Sequence, residues 1–240
     1  MNDLQGAWHI AKHEWKKDWI GLLFILVFIG YMLTMTLPFF RNAFDPSQSF
    51  PFGWAVDFLQ IAILPVLGFP MNRTLFRAWR EDSFTNKIMH WRILPISVRQ
   101  IVAARQIQLF GILSAALFIY FAVQYAISPT LQEHVGIVHY IGYSLCWFGY
   151  AMGIGATYTF WEQGFSGKLY TIASFGYVVI YFLIPTLMNS NEESISIRIL
   201  TALESGNWWY TVGALLLAAI LCAVSYWGSV RRLSVRVYNR

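Results

Sequence analysis

Apolar runs recur six times along the chain, and the polar segments between them hold nearly all of its charge. A helix needs about 20 predominantly apolar residues to cross a bilayer. Residues 19–40, 53–71, 101–127, 136–160, 169–188 and 207–230 meet that length, and each is predicted to span. The first and last contain no charged residue. The second carries one acid, Asp57, and the third begins with Arg105 and Gln106. The expected fold is an all-α membrane protein with six transmembrane helices and no separate soluble domain.

Residues 1–18 are too polar to span. Leu4, Trp8, Ala11, Trp15 and Trp19 recur at helical spacing on one stripe, with Lys12, Lys16 and Lys17 on the rest of the surface. This pattern predicts an amphipathic helix lying in the membrane interface, its indole rings at headgroup depth. The first span itself is too long for a signal h-region and lacks a small-residue cleavage site, so it reads as a retained helix.

The segment 72–100, between the second and third spans, has its own internal grammar. Glu81, Asp82 and Ser83 place acids and a cap at a helix start. Phe84, Ile88 and Trp91 follow at i, i+4, i+7, beside Lys87 and Arg92, and Pro95 ends the helix. Ser97 with Gln100 forms a capping-box pattern that opens the third span. The expectation is a short crosswise helix with an apolar stripe, fit for lipid or for a groove on a partner.

Gly149 and Gly153 in the fourth span have the small-xxx-small spacing that lets another helix approach closely. Pro65, Pro70 and Pro185 interrupt the second and fifth spans. The segment 189–206 mixes isoleucine and leucine with Glu192, Glu193, Arg198 and Glu204, which predicts one or two short helices dipping into the opposite interface.

Composition agrees with this pattern. The 240 residues are 57% hydrophobic and 12% charged, whereas soluble domains carry about 25% charged residues. The distribution of charge fixes the expected orientation. With the N-terminus inside, fifteen of the 17 basic residues fall on inner segments, and only Arg41 and Arg198 fall outside. That split follows the positive-inside rule and predicts a cell-membrane protein of a bacterium with both termini, including the tail 231–240, in the cytoplasm. It also explains the net charge of +5 without a nucleic-acid partner. Cys146 and Cys222 lie inside apolar runs and are expected to be free thiols.

Catalytic motifs fail on inspection. Gly164 to Lys168 resembles the end of a P-loop, but Glu162 stands where its first glycine belongs and Leu169 replaces the magnesium-binding hydroxyl. His9 and His13, with Glu14 after rather than between them, lack the zinc-protease order, so no metal site is expected. His139, near the outer end of the fourth span, reads as a helix-packing residue rather than a ligand, and His90 and His134 have no evident partners. Glu192-Glu193 with Arg198 has the wrong spacing for an intramembrane protease, and the Asn72 sequon falls on the cytoplasmic side. No polar residues are expected at a shared depth in several spans, so no enzyme activity is expected. Asp57, as an intramembrane acid, is a candidate for a translocation path, its place near the outer end allowing hydration instead.

The stretch Arg80-Glu81-Asp82-Ser83, then Pro95-Ile96-Ser97-Val98-Arg99-Gln100-Ile101, then Arg105, resembles the inner segment of ABC-2-type ABC transporter permeases. The layout of the whole chain is similar too, although Asn86-Lys87 stands near where that family commonly has Gly-Thr. The resemblance implies that the crosswise helix, through Phe84, Lys87, Ile88, Trp91 and Arg92, couples to cytosolic ABC ATPase subunits, which hold ATP and magnesium; this chain needs no cofactor. It also implies a second permease subunit and export, with an amphipathic peptide, antibiotic or lipid as substrate. The rival expectation is a non-transporting regulatory or assembly partner of an ATPase complex.

Overall fold

A computed structural model describes residues 3–44, 53–71, 78–188 and 194–236. Arg73, Arg77, the Asn72 sequon, Glu192, Glu193 and Arg240 lie outside the described residues. The described residues contain helices, turns and coil, and no strand. The order is α1 (Asp3–Lys17), α2 (Trp19–Ala43), α3 (Gly53–Ile63), a 3-10 segment (Leu64–Gly68), α4 (Ala78–Glu81), α5 (Ser83–Ile93) and α6 (Val98–Ile127). There follow α7 (Pro129–His134), α8 (Ile137–Gly164), α9 (Gly167–Met188), α10 (Ile195–Glu204) and α11 (Trp209–Val235).

Four helices, α2, α6, α9 and α11, are long and apolar enough to cross a membrane. They coincide with the first, third, fifth and sixth predicted spans, and they make the chain an all-α membrane protein. The other two predicted spans take different forms, each for a physical reason.

The second, 53–71, is an eleven-residue α-helix that tightens into a five-residue 3-10 segment. Pro65 causes the change, because it has no N–H to give the carbonyl of Ile61. That carbonyl is taken instead by the hydroxyl of Tyr150, at 2.9 Å. The mixed element is about 26 Å long, from the rises of the two helix types. Its first residue, Gly53, sits against Phe39 and Ser194, and its far end, at Pro70 and Met71, lies against Gly21 at the start of α2. It therefore runs from one end of the bundle to the other. Pro70 marks where it stops, while α9 continues through Pro185 to Met188.

The fourth, α8, is 28 residues long but is not apolar enough to stand with the four spanning helices. Tyrosines, glycines and threonines dilute it because its neighbours are protein rather than lipid. Fifteen of its 28 residues are buried, against three of the 22 in α9. α11 runs alongside it in the same direction, from a bond between Thr211 Oγ1 and the Gly142 carbonyl at 2.9 Å to contact between Gly164 and Arg232. Gly149 and Gly153 make that approach possible. A Cβ on Gly149 would lie 2.8–2.9 Å from the backbone of Ala214, and one on Gly153 would lie 3.0 Å from Leu221 and 3.3 Å from Ala218. The small-residue pair is thus used within the chain, between α8 and α11.

The expected capping box is present at the start of α6. Ser97 Oγ accepts from the Gln100 N–H, and the Ser97 N–H donates to Gln100 Oε1, each at 3.2 Å. α1 is helical as expected, but it is docked along the foot of α6 rather than merely lying flat. Gly6 packs on Gln100 and Trp15 on Gly111, so the two helices run side by side in the same direction. The docked face is Gly6, Ala7, Ala11 and Glu14, which leaves Leu4, Trp8 and Trp19 of the predicted stripe exposed. α7 was not expected, although Ser128 at its N-cap and Pro129 at its first position are a standard start signal. The described part of the segment 189–206 forms one helix, α10, with Ser196, Leu200 and Leu203 buried.

Candidate functional site

Two assemblies stand out, one at the basic end of the bundle and one near the opposite end. The first is built around α5. Its expected stripe faces inward. Phe84 and Ile88 are 6% and 4% exposed, and the Phe84 ring meets Tyr170 of α9 edge-on at 5.0 Å. Trp91 is half-buried, with the Lys87 ammonium 4.8 Å from its ring centre. Phe84 and Ile88 therefore anchor α5 to its own bundle and are not free to receive a partner. The stripe was legible, but a helix that crosses beneath a bundle has a bundle to bury it against. The exposed edge is instead Asn86, His90, Ile93 and Leu94, with Ile93 78% exposed.

Polar contacts tie α5 and its N-cap residue to α1, α9 and α11, and Arg236 carries the tie on to the end of α8. Lys87 forms an ion pair with Glu14 of α1, whose side chain is buried. Arg92 Nη1 donates to the Leu233 and Arg236 carbonyls at 3.3 and 3.4 Å, at the C-terminus of α11. Arg236 donates to the Gln163 and Phe165 carbonyls, at the end of α8, and to Thr85 Oγ1 at 2.7 Å. These arginines satisfy carbonyls that the helix ends leave without intrahelical partners. Asp82, one of the acids expected at the start of α5, stands at its N-cap position but makes no side-chain capping bond to it. It adopts the left-handed conformation (φ 44°, ψ 46°), the only described non-glycine residue with positive φ. Its carboxylate accepts from the N–H of Gly167, the first residue of α9, at 2.6 Å. The failed P-loop at Gly164–Lys168 thus has a helix N-terminus capped by the chain's own acid. α5 ends where Pro95 forces Leu94 into extended backbone (ψ 155°).

Just inside the same end, Arg105 of α6 grips Glu162 of α8. Its Nε and Nη2 lie 3.0 and 2.7 Å from Glu162 Oε2, and the two side chains are 12% and 13% exposed. Arg105 also donates to Gln108 Oε1 at 3.2 Å, and its guanidinium lies 4.9 Å from the centre of the Phe69 ring. The neighbouring Gln106 donates to Thr159 Oγ1 at 2.9 Å. The pair clamps α6 to α8.

The second assembly is a buried polar chain that the sequence analysis did not anticipate. Asp57 of α3 is 1% exposed. It accepts from Ser194 Oγ at 2.8 Å, the Ile195 N–H at 2.7 Å, the Ser196 N–H at 3.2 Å and Ser196 Oγ at 2.9 Å. The residue expected on a translocation path is, in the fold, the N-terminal cap of α10, and protein donors rather than water satisfy it. Ser196 Oγ also meets Gln60 Oε1, and Gln60 Nε2 donates to the Tyr143 hydroxyl at 3.2 Å. Close by, Gln124 Nε2 donates to Thr36 Oγ1 at 2.7 Å and accepts at Oε1 from the Tyr140 hydroxyl at 2.8 Å, while Tyr120 donates to Thr36 at 3.2 Å. Polar groups of α2, α3, α6, α8 and α10 therefore do share one depth, contrary to expectation. They bond mainly to one another, which suits a rigid joint between helices better than a reacting centre.

The histidines do not assemble. His9 bonds to the Gln5 carbonyl and His134 to that of Thr130, both on their own helices, and His139 lies beside Trp208. No cluster of three metal-binding side chains occurs among the described residues, and Cys146 and Cys222 are free. No protein-family model, curated protein or solved structure matches the chain.

Proposed function

We propose that the chain is the membrane subunit of an ATP-driven exporter, with six crossings and both termini in the cytoplasm of a bacterial cell. The observation that carries this reading is α5, a short helix at the basic end, braced to α1, α8, α9 and α11 and leaving one edge open. A load applied to Ile93 and Leu94 would reach the last two long helices as well as α6. That geometry suits rigid-body movement of the bundle. The partner would be a cytosolic ABC ATPase that holds ATP and magnesium, and a second permease subunit would complete the transporter. The cargo would be amphipathic, a peptide, antibiotic or lipid. In this reading Lys87 and Arg92 hold the lever in place, and Asp57 is the joint between α3 and α10 rather than a contact for cargo. A subunit that only regulates or assembles an ATPase complex would use the same edge without moving cargo.

One labelling experiment tests both orientation and docking. Ile93→Cys, on a background lacking Cys146 and Cys222, should resist a membrane-impermeant thiol reagent in intact cells. It should label readily in inverted vesicles stripped of ATPase, and added ATPase should protect it at least tenfold, as expected for an apolar residue at an interface centre worth about 2 kcal/mol. Labelling in intact cells would overturn the orientation, and labelling indifferent to ATPase would overturn docking.

A further inference from the structure

A groove of about 420 Å³ runs between α2 and α6, walled by Leu22, Ile25, Ile29, Ile112 and Ala115. This is within the range of ligand-binding pockets. Trp15 of α1 also lines it, its ring seated on Gly111, where a Cβ would come within 2.7 Å of it. The Trp15 indole N–H is buried and has no hydrogen-bond acceptor among the described residues.

The surroundings indicate what lies there. Trp8 on α1 and Trp19, the first residue of α2, are 49% and 58% exposed, and Trp8 meets Trp15 edge-on at 5.5 Å. Ile20, Leu23 and Phe24 continue this exposed apolar surface onto α2. Lys12 and Lys16 border the stripe on the helical wheel. Both are exposed and neither forms an ion pair among the described residues. The acids nearest in sequence are Glu14, which is on the docked face and committed to Lys87, and Asp18, which stands at the N-cap position of α2. An apolar channel, a ring of indoles and unpaired cations thus follow one another along the surface of a membrane protein.

We propose that this groove is a binding site for an anionic phospholipid. One acyl chain lies between α2 and α6, the indoles of Trp15 and Trp19 pack at the ester level, and the phosphate sits at Lys12 and Lys16. Bound there, the lipid joins α1, α2 and α6. The site is independent of the exporter reading, because it needs only that the chain is in a membrane.

Lipid retained by purified full-length protein tests it, after exchange against equimolar phosphatidylglycerol and phosphatidylcholine and quantitation by mass spectrometry. Two lysines near a leaflet surface predict roughly thirty-fold preference for phosphatidylglycerol. Lys12→Gln with Lys16→Gln should abolish the preference while lipid is still retained. Ala115→Phe fills the groove from an exposed position and should abolish retention with both lysines intact; Ala115→Leu, a smaller change, should weaken it. Equal retention of the two lipids by the unaltered protein would overturn the proposal. So would undiminished retention in both Ala115 variants, displacement of the lipid by inorganic phosphate alone, or disulfide-linked dimers of Ala115→Cys showing that a second copy fills the groove.

Discussion

Replacing Arg105 with methionine should destabilise the bundle by about 4 kcal/mol, whereas Arg105→Met together with Glu162→Leu should cost much less. Both side chains are about seven-eighths buried, and Arg105 reaches Glu162 Oε2 with two nitrogens. Truncating the arginine strands a carboxylate in surroundings that cannot solvate it, and the only remedies are protonation or movement of α8. Truncating Glu162 strands a guanidinium in the same way. Replacing both removes the desolvation problem along with the attraction, and methionine and leucine can fill the space beside Phe69. Reversible unfolding in a single detergent, with the four proteins of the cycle compared, gives the coupling directly. Single and double variants of equal stability would show that the pair is solvated and not a clamp.

Asp57→Ala should cost a comparable amount, about 3–5 kcal/mol, and its effect should be concentrated on α10. The substitution leaves the Ser194 and Ser196 hydroxyls and the Ile195 and Ser196 N–H groups without their common acceptor. Asp57→Asn keeps the shape and one carbonyl oxygen but loses the charge that complements the helix N-terminus, so about half the loss is expected. Limited proteolysis between residues 194 and 206 reports on α10 separately from global unfolding. Unchanged protection of α10 in Asp57→Ala would reject the cap. Full stability with lost transport would return Asp57 to the translocation path.

The parts of this fold that were legible in the sequence are those governed by local rules. Uninterrupted apolar length identified α2, α6, α9 and α11, because lipid-facing helices must be apolar all round their outer surface. Ser97 and Gln100 gave the start of α6, since a capping box involves only four neighbouring residues. Gly149 and Gly153 pointed to a close helix contact, though not to α11 as the partner. What was missed depends on residues far apart in the chain. Arg105 and Glu162 are 57 positions apart, and each alone reads as an interface charge. Thr36, Gln60, Gln124, Tyr140 and Ser196 are ordinary polar positions until five elements bring them to one level. Asp82 reads as an acid at the start of α5 yet caps α9, because the left-handed turn that begins α5 lies beside the α9 N-terminus. The stripe of Phe84 and Ile88 was correctly identified as apolar and wrongly assigned to an external surface, since periodicity gives the face of a helix but not what covers it.

The position of α8 bears on how the chain enters a membrane. A helix rich in tyrosine, glycine and threonine has little reason to leave an aqueous channel for lipid on its own. α8 gains its place chiefly from α6, made before it, and from α11, made after it. Biogenesis should therefore not follow the order of translation, because α8 can be secured only once α11 has arrived. In a chain ending at Gly206, a reporter at Ser166 should be found on both sides of the membrane, and restoring residues 207–240 should confine it to one. A one-sided reporter in the shortened chain would show that α8 inserts unaided. The innermost helix of the finished protein is, on this account, the last to be committed to the bilayer.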